Sequence, residues 1–245
     1  MIFSSLYLRS TTRELFYLFN NLSLMLNTDR HRLLMFRIIK DIFLSDIGKY
    51  LAFKWGTACY FLYWLDRFST DLDFDLLADV DIDDRLNTIL IKYWSLKTWQ
   101  KIILSYGDTD NNIKIDVSRK IWISNAYEFV DFYGTMIQTQ DKSTIFANKL
   151  VALTQRSTNR DIYDVYFFFQ QWFDINTHII TERIGGSIED LYVQILTKLQ
   201  NLPPHYKILD GLWEVLNISQ KKRVKEKLVS ELISLISMKL QFLEH

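Results

Sequence analysis

Three aspartates alternate along one short segment of the chain. The segment, residues 67–75, reads RFSTDLDFD, and its carboxylates belong to Asp71, Asp73 and Asp75. The leucine and phenylalanine between them give a period of two, which on a β-strand places all three carboxylates on one face. Like charges on one face oppose ionisation unless a cation lies between them, and Mg²⁺ prefers such oxygen ligands. The pattern is typical of a metal site and also of a solvated acidic edge strand.

Other metal-binding motifs do not fit the chain. An EF-hand loop starting at Asp71 needs Gly at its sixth position and Glu at its twelfth, where the sequence has Leu76 and Ile82. The four histidines and the single cysteine lack zinc-site spacing, and no Gly-rich Walker loop is present. Cys59 lies in an apolar run, so we expect a buried, unreactive thiol.

A second segment offers a further carboxylate. Residues 113–118 read IKIDVS, and their alternation places Lys114, Asp116 and Ser118 on one face of a strand. The turn-forming loop YGDTDNN separates this run from a strand-like run at residues 99–105, which predicts a hairpin. Asp116 is a candidate third metal ligand, although an exposed strand residue would give the same pattern.

The composition predicts a mostly helical globular protein with a modest sheet. Hydrophobic residues make up 49% of the chain and charged residues 24%, while Pro (2) and Gly (7) are scarce. Lys+Arg and Asp+Glu both number 29, so the net charge predicts no polyanionic partner. Basic runs at residues 29–40 and 221–227 are either candidates for following an RNA backbone or solvated helix faces.

Nothing in the sequence predicts contact with a membrane. No signal-peptide pattern opens the chain, and the apolar run at residues 51–65 is interrupted by Lys54 and is too short to span a bilayer. We therefore expect a cytoplasmic protein.

Hydrophobic periodicity and capping residues predict the order of the elements. In the N-terminal part they indicate helices beginning near residue 12 and over 27–44, 57–65 and about 84–94, a turn at Gly56, and strands at 50–54, 71–75, 99–105, 113–118 and 133–139. In the C-terminal part they indicate helices over 142–155, 160–173, 187–199, 206–216 and 219–242. The predicted fold is α+β: a small mixed sheet with flanking helices over residues 1–140, followed by a helical bundle domain over residues 141–245.

In this order the motifs resemble nucleotidyltransferases of the polymerase-β superfamily. A strand ending at Lys54, then Gly56-Thr57 opening a helix, then RFSTDLDFD, is similar to the first motif of the AbiEii/MenT branch, toxins of abortive-infection and toxin–antitoxin systems. That branch carries Lys-Gly-Gly-Thr/Ser, a short helix and Arg-x-Ser-x-Asp-Leu-Asp. Its later Lys-Leu-x-Ala-Leu helix and Arg-Asp with a further Asp resemble NKLVALTQR at 148–156 and NRDIYDVY at 159–166. The resemblance covers residues 34–166.

The resemblance implies transfer of a nucleoside monophosphate from a nucleoside triphosphate (NTP), with Mg²⁺ or Mn²⁺ as cofactor and pyrophosphate as product. Metal ions would lower the pKa of the attacking hydroxyl and neutralise phosphate charge. The later acidic motif places Asp161 and Asp164 where they could orient Lys149, Arg67 or Arg160. The resemblance directs Lys149 to the triphosphate. The predicted metal ligands are Asp71, Asp73 and Asp116; the predicted catalytic residues are these three with Lys149 and Asp161; the predicted nucleotide-binding residues are Gly56, Thr57, Arg67, Ser69 and Lys149.

The resemblance also implies an acceptor such as the 3′ end of tRNA, and a growth-inhibiting toxin with a cognate antitoxin. Trp55 stands where the branch has its first glycine, so it could narrow the nucleotide site or change its base preference. Two alternatives stay open at this level. One is a module of the same fold that binds a nucleotide or a protein without turnover, with Trp55 blocking the pocket; the other is transfer to a protein hydroxyl.

Overall fold

The protein is described from a computed structural model, which covers residues 28–93, 95–98, 101–105, 112–156 and 158–243. The helix predicted near residue 12 lies outside these ranges, as do the start of the strand predicted over 99–105 and most of the loop after it. The helices are α1 (Thr28–Leu44), α2 (Trp55–Leu62), α3 (Asp83–Leu90), α4 (Lys142–Gln155), α5 (Asn159–Gln170), α6 (Thr177–Ile184), α7 (Ile188–Gln200) and α8 (Ile218–Leu243). The strands are β1 (Leu51–Lys54), β2 (Asp71–Leu76), β3 (Ser95–Thr98), β4 (Lys101–Ser105), β5 (Asn112–Ser118), β6 (Tyr127–Phe132) and β7 (Thr135–Gln140).

The strands form one mixed sheet in the order β3-β4-β5-β2-β1-β7-β6. The acidic strand β2 is its fourth and central strand, antiparallel to β1 and parallel to β5. The segment is therefore not an acidic edge strand. The predicted α+β fold is confirmed, and so is the hairpin that pairs β4 with β5.

The alternation in β2 separates the core from a polar face. Leu72 and Phe74 are fully buried, and the ring of Phe74 packs 5.4 Å from that of Phe53 on β1 and 6.1 Å from that of Phe43 on α1. Asp71 and Asp73 are only half-buried. Burial of the apolar face fixes the register, because a slip of one residue would turn every carboxylate toward the core.

Two local conformations explain where the N-terminal predictions were inaccurate. The strand predicted over 133–139 begins two residues later, because Tyr133 (φ 51°) and Gly134 (φ 80°) form the two-residue turn of a β6–β7 hairpin. The turn predicted at Gly56 is wrong: α2 already begins at Trp55, which itself takes the sharp left-handed conformation (φ 66°).

The C-terminal part is helical as predicted, with two corrections. The helix predicted over 206–216 is wrong, since these residues form successive turns and Gly211 takes a left-handed φ of 73°. The Asn159 side chain donates to the carbonyls of Lys207 and Asp210, both at 2.9 Å, and this holds the turns against α5. Helix α6 was not predicted at all.

The boundary near residue 140 contains no linker. β7 ends at Gln140, and Asp141 caps α4 by accepting a hydrogen bond of 2.7 Å from the Thr144 amide. One cluster of buried apolar side chains includes residues from both parts. The division into domains at 1–140 and 141–245 stays a prediction. Among the described helices, none combines the length and apolarity needed to cross a membrane.

The central position of Phe74 gives a test of the sheet. We expect Phe74→Ala to lower the free energy of unfolding by about 3–5 kcal/mol, because it leaves a cavity in the core. Phe129→Ala, on the edge strand β6 where the side chain is 67% exposed, should change it by less than about 0.5 kcal/mol. Urea unfolding measures both variants. Equal losses would contradict the central burial of β2.

Candidate active site

A cavity of about 630 Å³ opens between the polar face of the sheet and helices α4 and α5. Ligand pockets usually have volumes of roughly 300–1,000 Å³, so this one could hold a nucleotide. Thr57 lies beneath it, fully buried, with its hydroxyl bonded to Ser69 Oγ at 2.7 Å and to the Asp71 carbonyl. The other predicted site residues all line the cavity: Gly56, Arg67, Ser69, Asp71, Asp73, Asp116, Lys149 and Asp161.

The three carboxylates predicted to bind metal are brought together by the sheet. Asp73 is in register with Lys54 of β1 on one side and with Asp116 of β5 on the other. Asp71 lies two residues before Asp73 on the same face. Burial, helped by the charges of Asp71 and Asp116, raises the pKa of Asp73 to about 6. The cluster therefore carries crowded negative charge on the cavity wall.

The donor chemistry of this cluster fits a divalent cation that arrives with a phosphate ligand. Among the described residues, no three carboxylate, imidazole or thiol side chains form a ready-made metal cage. Mg²⁺ is commonly held by one or two carboxylates together with substrate phosphates rather than by such a cage. Burial and the charge of Asp71 both disfavour the ionised form of Asp73, and a bound cation would favour it. One or two of the carboxylates of Asp71, Asp73 and Asp116, together with a substrate phosphate, could hold it.

Asp75, the third aspartate of β2, has a different role. Its buried carboxylate accepts hydrogen bonds from Lys54 Nζ at 2.6 Å, Gln140 Nε2 at 2.7 Å and the Tyr127 hydroxyl at 3.0 Å. These bonds hold Lys54 beside Asp73 and occupy the carboxylate oxygens. Asp75 thus supports the cavity wall and is absent from the cavity lining.

A network of buried ion pairs forms the opposite wall. Arg67 donates to Asp164 through Nε (2.6 Å) and Nη2 (2.7 Å), and Lys149 Nζ lies 2.8 Å from Asp164 and 2.9 Å from Asp161. The two aspartates lie one turn apart on α5 and so face the same side. Despite burial, Arg67 and Lys149 hold the pKa of Asp164 below its usual range. The network joins the loop before β2 to α4 and α5.

Arg156 and Thr158 complete this wall and were not assigned a role from the sequence. Arg156 donates to both Asp161 oxygens, through Nε at 2.8 Å and Nη2 at 3.0 Å. Thr158 caps α5 and its hydroxyl donates to Asp161 Oδ2 at 2.7 Å. Burial opposes ionisation of Asp161, but Lys149 and Arg156 hold its pKa well below the usual range. The cap could have been found from the Thr-x-x-Asp spacing at 158–161.

Further residues line the cavity beyond those predicted as site residues. Arg160 Nε donates to the Gly211 carbonyl at 2.8 Å, which places the turns after α7 at the rim. The sequence offers no signal for this contact, because the residues are 51 positions apart and the apolar spacing predicts a helix where the structure has turns. The additional lining residues are Lys54, Trp55, Lys114, Ser118, Asn159, Arg160, Asp210 and Gly211.

A comparison with known protein families identifies the family of this chain. The profile of the family described as "Nucleotidyl transferase AbiEii toxin, Type IV TA system" matches residues 37–189, which is more than half of the chain. The protein belongs to the AbiEii family. It is thus a nucleotidyltransferase toxin by family, for which an NTP, a divalent metal and an antitoxin are the implied substrate, cofactor and partner.

Solved structures agree with this fold. JHP933 from Helicobacter pylori is 22% identical, with a TM-score of 0.56 over 89% of this chain and 93% of that one. A second H. pylori structure, described as a nucleotidyltransferase, is 24% identical, with a TM-score of 0.56 over 88% of this chain and 97% of that one. No curated protein sequence matches the chain significantly. At these identities the likeness concerns the fold.

The AbiEii Lys-Gly-Gly-Thr/Ser segment is present here as Lys54 to Thr57, with tryptophan in place of the first glycine. Trp55 has a φ of 66°, a conformation that costs a non-glycine residue about 1–3 kcal/mol. Gly56 is needed for a close approach, since a Cβ there would lie 2.8 Å from Arg67 Nη2 and 3.4 Å from Ser69 Oγ. The segment therefore retains the glycine that contacts Arg67 and replaces the one at the left-handed position.

The ion-pair network predicts that replacing Asp164 strongly lowers the free energy of unfolding. Asp164→Asn removes the carboxylate that pairs with Arg67 and one of the two that pair with Lys149. We therefore expect a loss of about 3–5 kcal/mol in the free energy of unfolding at pH 7. Since the folded pKa of Asp164 is lowered, its contribution is present above pH of about 4 and is lost as the pH falls. Urea unfolding at pH 7 measures the loss. The matched control Asp174→Asn, on an exposed residue, should change stability little, and equal effects would contradict the network.

The raised pKa of Asp73 predicts that its contribution to the free energy of unfolding changes with pH in the opposite direction to that of Asp164. Its folded pKa of about 6 is above the usual 3.8, so the folded state binds more protons than the unfolded state between about pH 4 and 6. Wild-type stability should therefore fall, relative to Asp73→Asn, by on the order of 1–2 kcal/mol as the pH rises through this window. Urea unfolding in metal-free buffer from pH 4 to 7 tests this. Parallel curves for the two proteins would contradict the raised pKa.

Proposed function

We propose that the protein transfers a nucleoside monophosphate from an NTP to the 3′ end of a tRNA, with Mg²⁺ (or Mn²⁺) as cofactor. The observation that supports this most is the pairing of opposite charges within one cavity. Asp71, Asp73 and Asp116 line its sheet wall, and the Arg67, Lys149 and Arg156 network lines its helical wall. A metal-bound triphosphate is a ligand that needs both walls, since the metal meets carboxylates and the phosphates meet cations.

The residues divide the work of binding. Lys149 and Arg156 are held at the cavity by Asp161, so both cations are already oriented when a triphosphate enters. Ser69 adds a hydroxyl, and its position is set by the hydrogen bond with Thr57. The first turn of α2 has no side-chain cap, and its amide N–H groups favour a phosphate oxygen. Arg67 is ion-paired with Asp164, so its role is to hold the helical wall in place and not to bind phosphate.

The chemistry is a displacement at the α-phosphorus. A bond forms from the acceptor hydroxyl oxygen to the α-phosphorus, the bond to the bridging oxygen of the β-phosphate breaks, and pyrophosphate leaves. The bound metal, held by Asp71, Asp73 and Asp116, would supply charge neutralisation and activate the hydroxyl. The hydroxyl proton passes to a carboxylate of this cluster. Lys149 and Arg156 stabilise the charge that accumulates on the leaving pyrophosphate.

The tRNA acceptor is supported by the family resemblance and by two cations of the cavity wall. Lys114 and Arg160 line the cavity and are half-exposed, so they are available to a phosphodiester backbone. Of the two basic runs considered from the sequence, the first is partly engaged: Arg32 pairs with Asp29, and Lys40 donates to the Tyr133 carbonyl. RNA contact through these runs stays a prediction.

Labelled NTPs incubated with the purified protein, Mg²⁺ and total tRNA test the proposal. We expect label in tRNA, abolished by EDTA and reduced at least about a hundredfold by Asp71→Asn or Asp73→Asn. Asp79→Asn is the matched control, because Asp79 follows β2 in the same acidic stretch but is exposed and does not line the cavity. It should retain wild-type activity.

Other outcomes identify the alternatives. Label that appears on a protein band and not in tRNA would replace the acceptor with a protein hydroxyl. Tight NTP binding without any labelled product would make the protein a binding module of the same fold. Full activity in Asp71→Asn and Asp73→Asn would overturn the proposed metal ligands.

A further inference from the structure

The indole of Trp55 is surrounded by three cations. Its ring centre lies 4.6 Å from Arg156 Cζ, 5.2 Å from Lys149 Nζ and 5.8 Å from Lys54 Nζ. Lys54 is the last residue of β1, Lys149 lies within α4, and Arg156 is the residue that follows α4. Cations near an aromatic ring are attracted by its electron-rich face, and more strongly where water is excluded. The half-buried indole is thus a common contact for the charged groups of the cavity.

The backbone at this position shows that the surroundings hold the indole in place. Tryptophan at φ 66° is strained, and such conformations persist where neighbouring groups over-determine them, often at ligand clamps. Lys54, immediately before, is fixed by its 2.6 Å ion pair with Asp75. Gly56, immediately after, is packed against Arg67 and Ser69. The backbone on both sides of Trp55 is therefore held, and the indole centre lies 4.6 Å from Arg156 Cζ.

Arg156 has two partners that fix it in different ways. Asp161 engages Nε and Nη2, and the indole lies against the guanidinium carbon. This leaves Nη1 outside the ion pair, on a side chain that is 47% exposed and lines the cavity. Arg67, Lys149 and Arg156 together face two carboxylates, Asp161 and Asp164, so the network retains surplus positive charge. A cluster of this charge suits a compact polyanion.

We propose that Trp55 is a positioning residue, whose indole holds Arg156 and Lys149 at the cavity so that they bind the terminal phosphates of the nucleotide. This assignment rests on the proposed function only for the identity of the ligand as an NTP. The chain thereby replaces a flexible glycine with an aromatic support. The indole restricts the side chains of Arg156 and Lys149 before phosphate binds, so these side chains lose less rotational freedom on binding.

Binding of inorganic tripolyphosphate, measured by calorimetry without metal or acceptor, tests the support directly. Trp55→Gly should weaken binding about tenfold. Arg156→Ala should weaken it at least as much. The double variant Trp55→Gly/Arg156→Ala should lose less than the sum of the two single losses, because the indole acts in part through the arginine. In turnover, Trp55→Gly should lower kcat/KM for NTP by a similar factor, because the cations it positions both bind the phosphates and stabilise the leaving pyrophosphate. A purely structural role would not give this coupling.

The chain contains a matched control. Trp172 is also a tryptophan in the left-handed region (φ 55°), and Lys239 Nζ lies 5.1 Å from its ring centre, but its side chain is 72% exposed and does not line the cavity. Trp172→Gly therefore relieves similar backbone strain and removes a similar contact. It should leave tripolyphosphate binding unchanged. Trp55→Phe keeps an aromatic face and should restore most of the binding, while Trp55→Leu fills space without one and should not.

Tripolyphosphate binding by Trp55→Gly that equals or exceeds wild type would overturn the proposal, since the indole would then obstruct the site. Additive losses in the double variant would also overturn it. If Trp55→Gly fails to fold, the comparison of Trp55→Phe with Trp55→Leu decides the question. Wild-type tripolyphosphate binding that depends on Trp55, without any nucleotide transfer, would leave the support intact and reject the transfer reaction instead.

Discussion

Two aspartates on one turn of α5 hold together the cations of the cavity. Asp161 and Asp164 are almost fully buried, and a buried carboxylate is costly unless it is paired and hydrogen-bonded. Lys149 satisfies both, Arg67 binds one and Arg156 the other. The loop before β2, the helix α4 and the start of α5 are consequently placed relative to each other by charge as well as by the apolar core. The position of the sheet carboxylates opposite these cations depends on that arrangement.

The two walls use charge differently. On the helical wall each carboxylate is compensated, so the pKa values of Asp161 and Asp164 are lowered. On the sheet wall, burial and the neighbouring charges of Asp71 and Asp116 raise the pKa of Asp73. The ion pairs of the helical wall orient its cations as soon as the chain folds. The carboxylates of the sheet wall, by contrast, are stabilised only when a cation binds to them. The two walls thus differ in charge within one cavity, as a ligand that combines a cation with phosphates requires.

Local sequence patterns predicted the elements that carry the site. The alternation in β2 and β5 placed Asp71, Asp73 and Asp116 on one polar face, because a strand period of two leaves little choice once the apolar face is buried. What the patterns missed depends on contacts between distant residues. The turns at 206–216 contain apolar residues at helical spacing, but Asn159 binds their carbonyls and Gly211 is left-handed. The ring of Trp55 over Arg156 has no sequence signature, since the residues meet only after α4 packs on the sheet.

The pairing of Arg67 with Asp164 spans 97 residues of sequence, and this has a consequence for synthesis of the chain. A ribosome that adds roughly 5–20 residues per second needs several seconds to make the intervening segment. Throughout that time Arg67 and the carboxylates of β2 exist without the helix that orients the remaining cations. The cavity of this nucleotidyltransferase toxin therefore cannot close on the nascent chain until α5 has emerged from the ribosome.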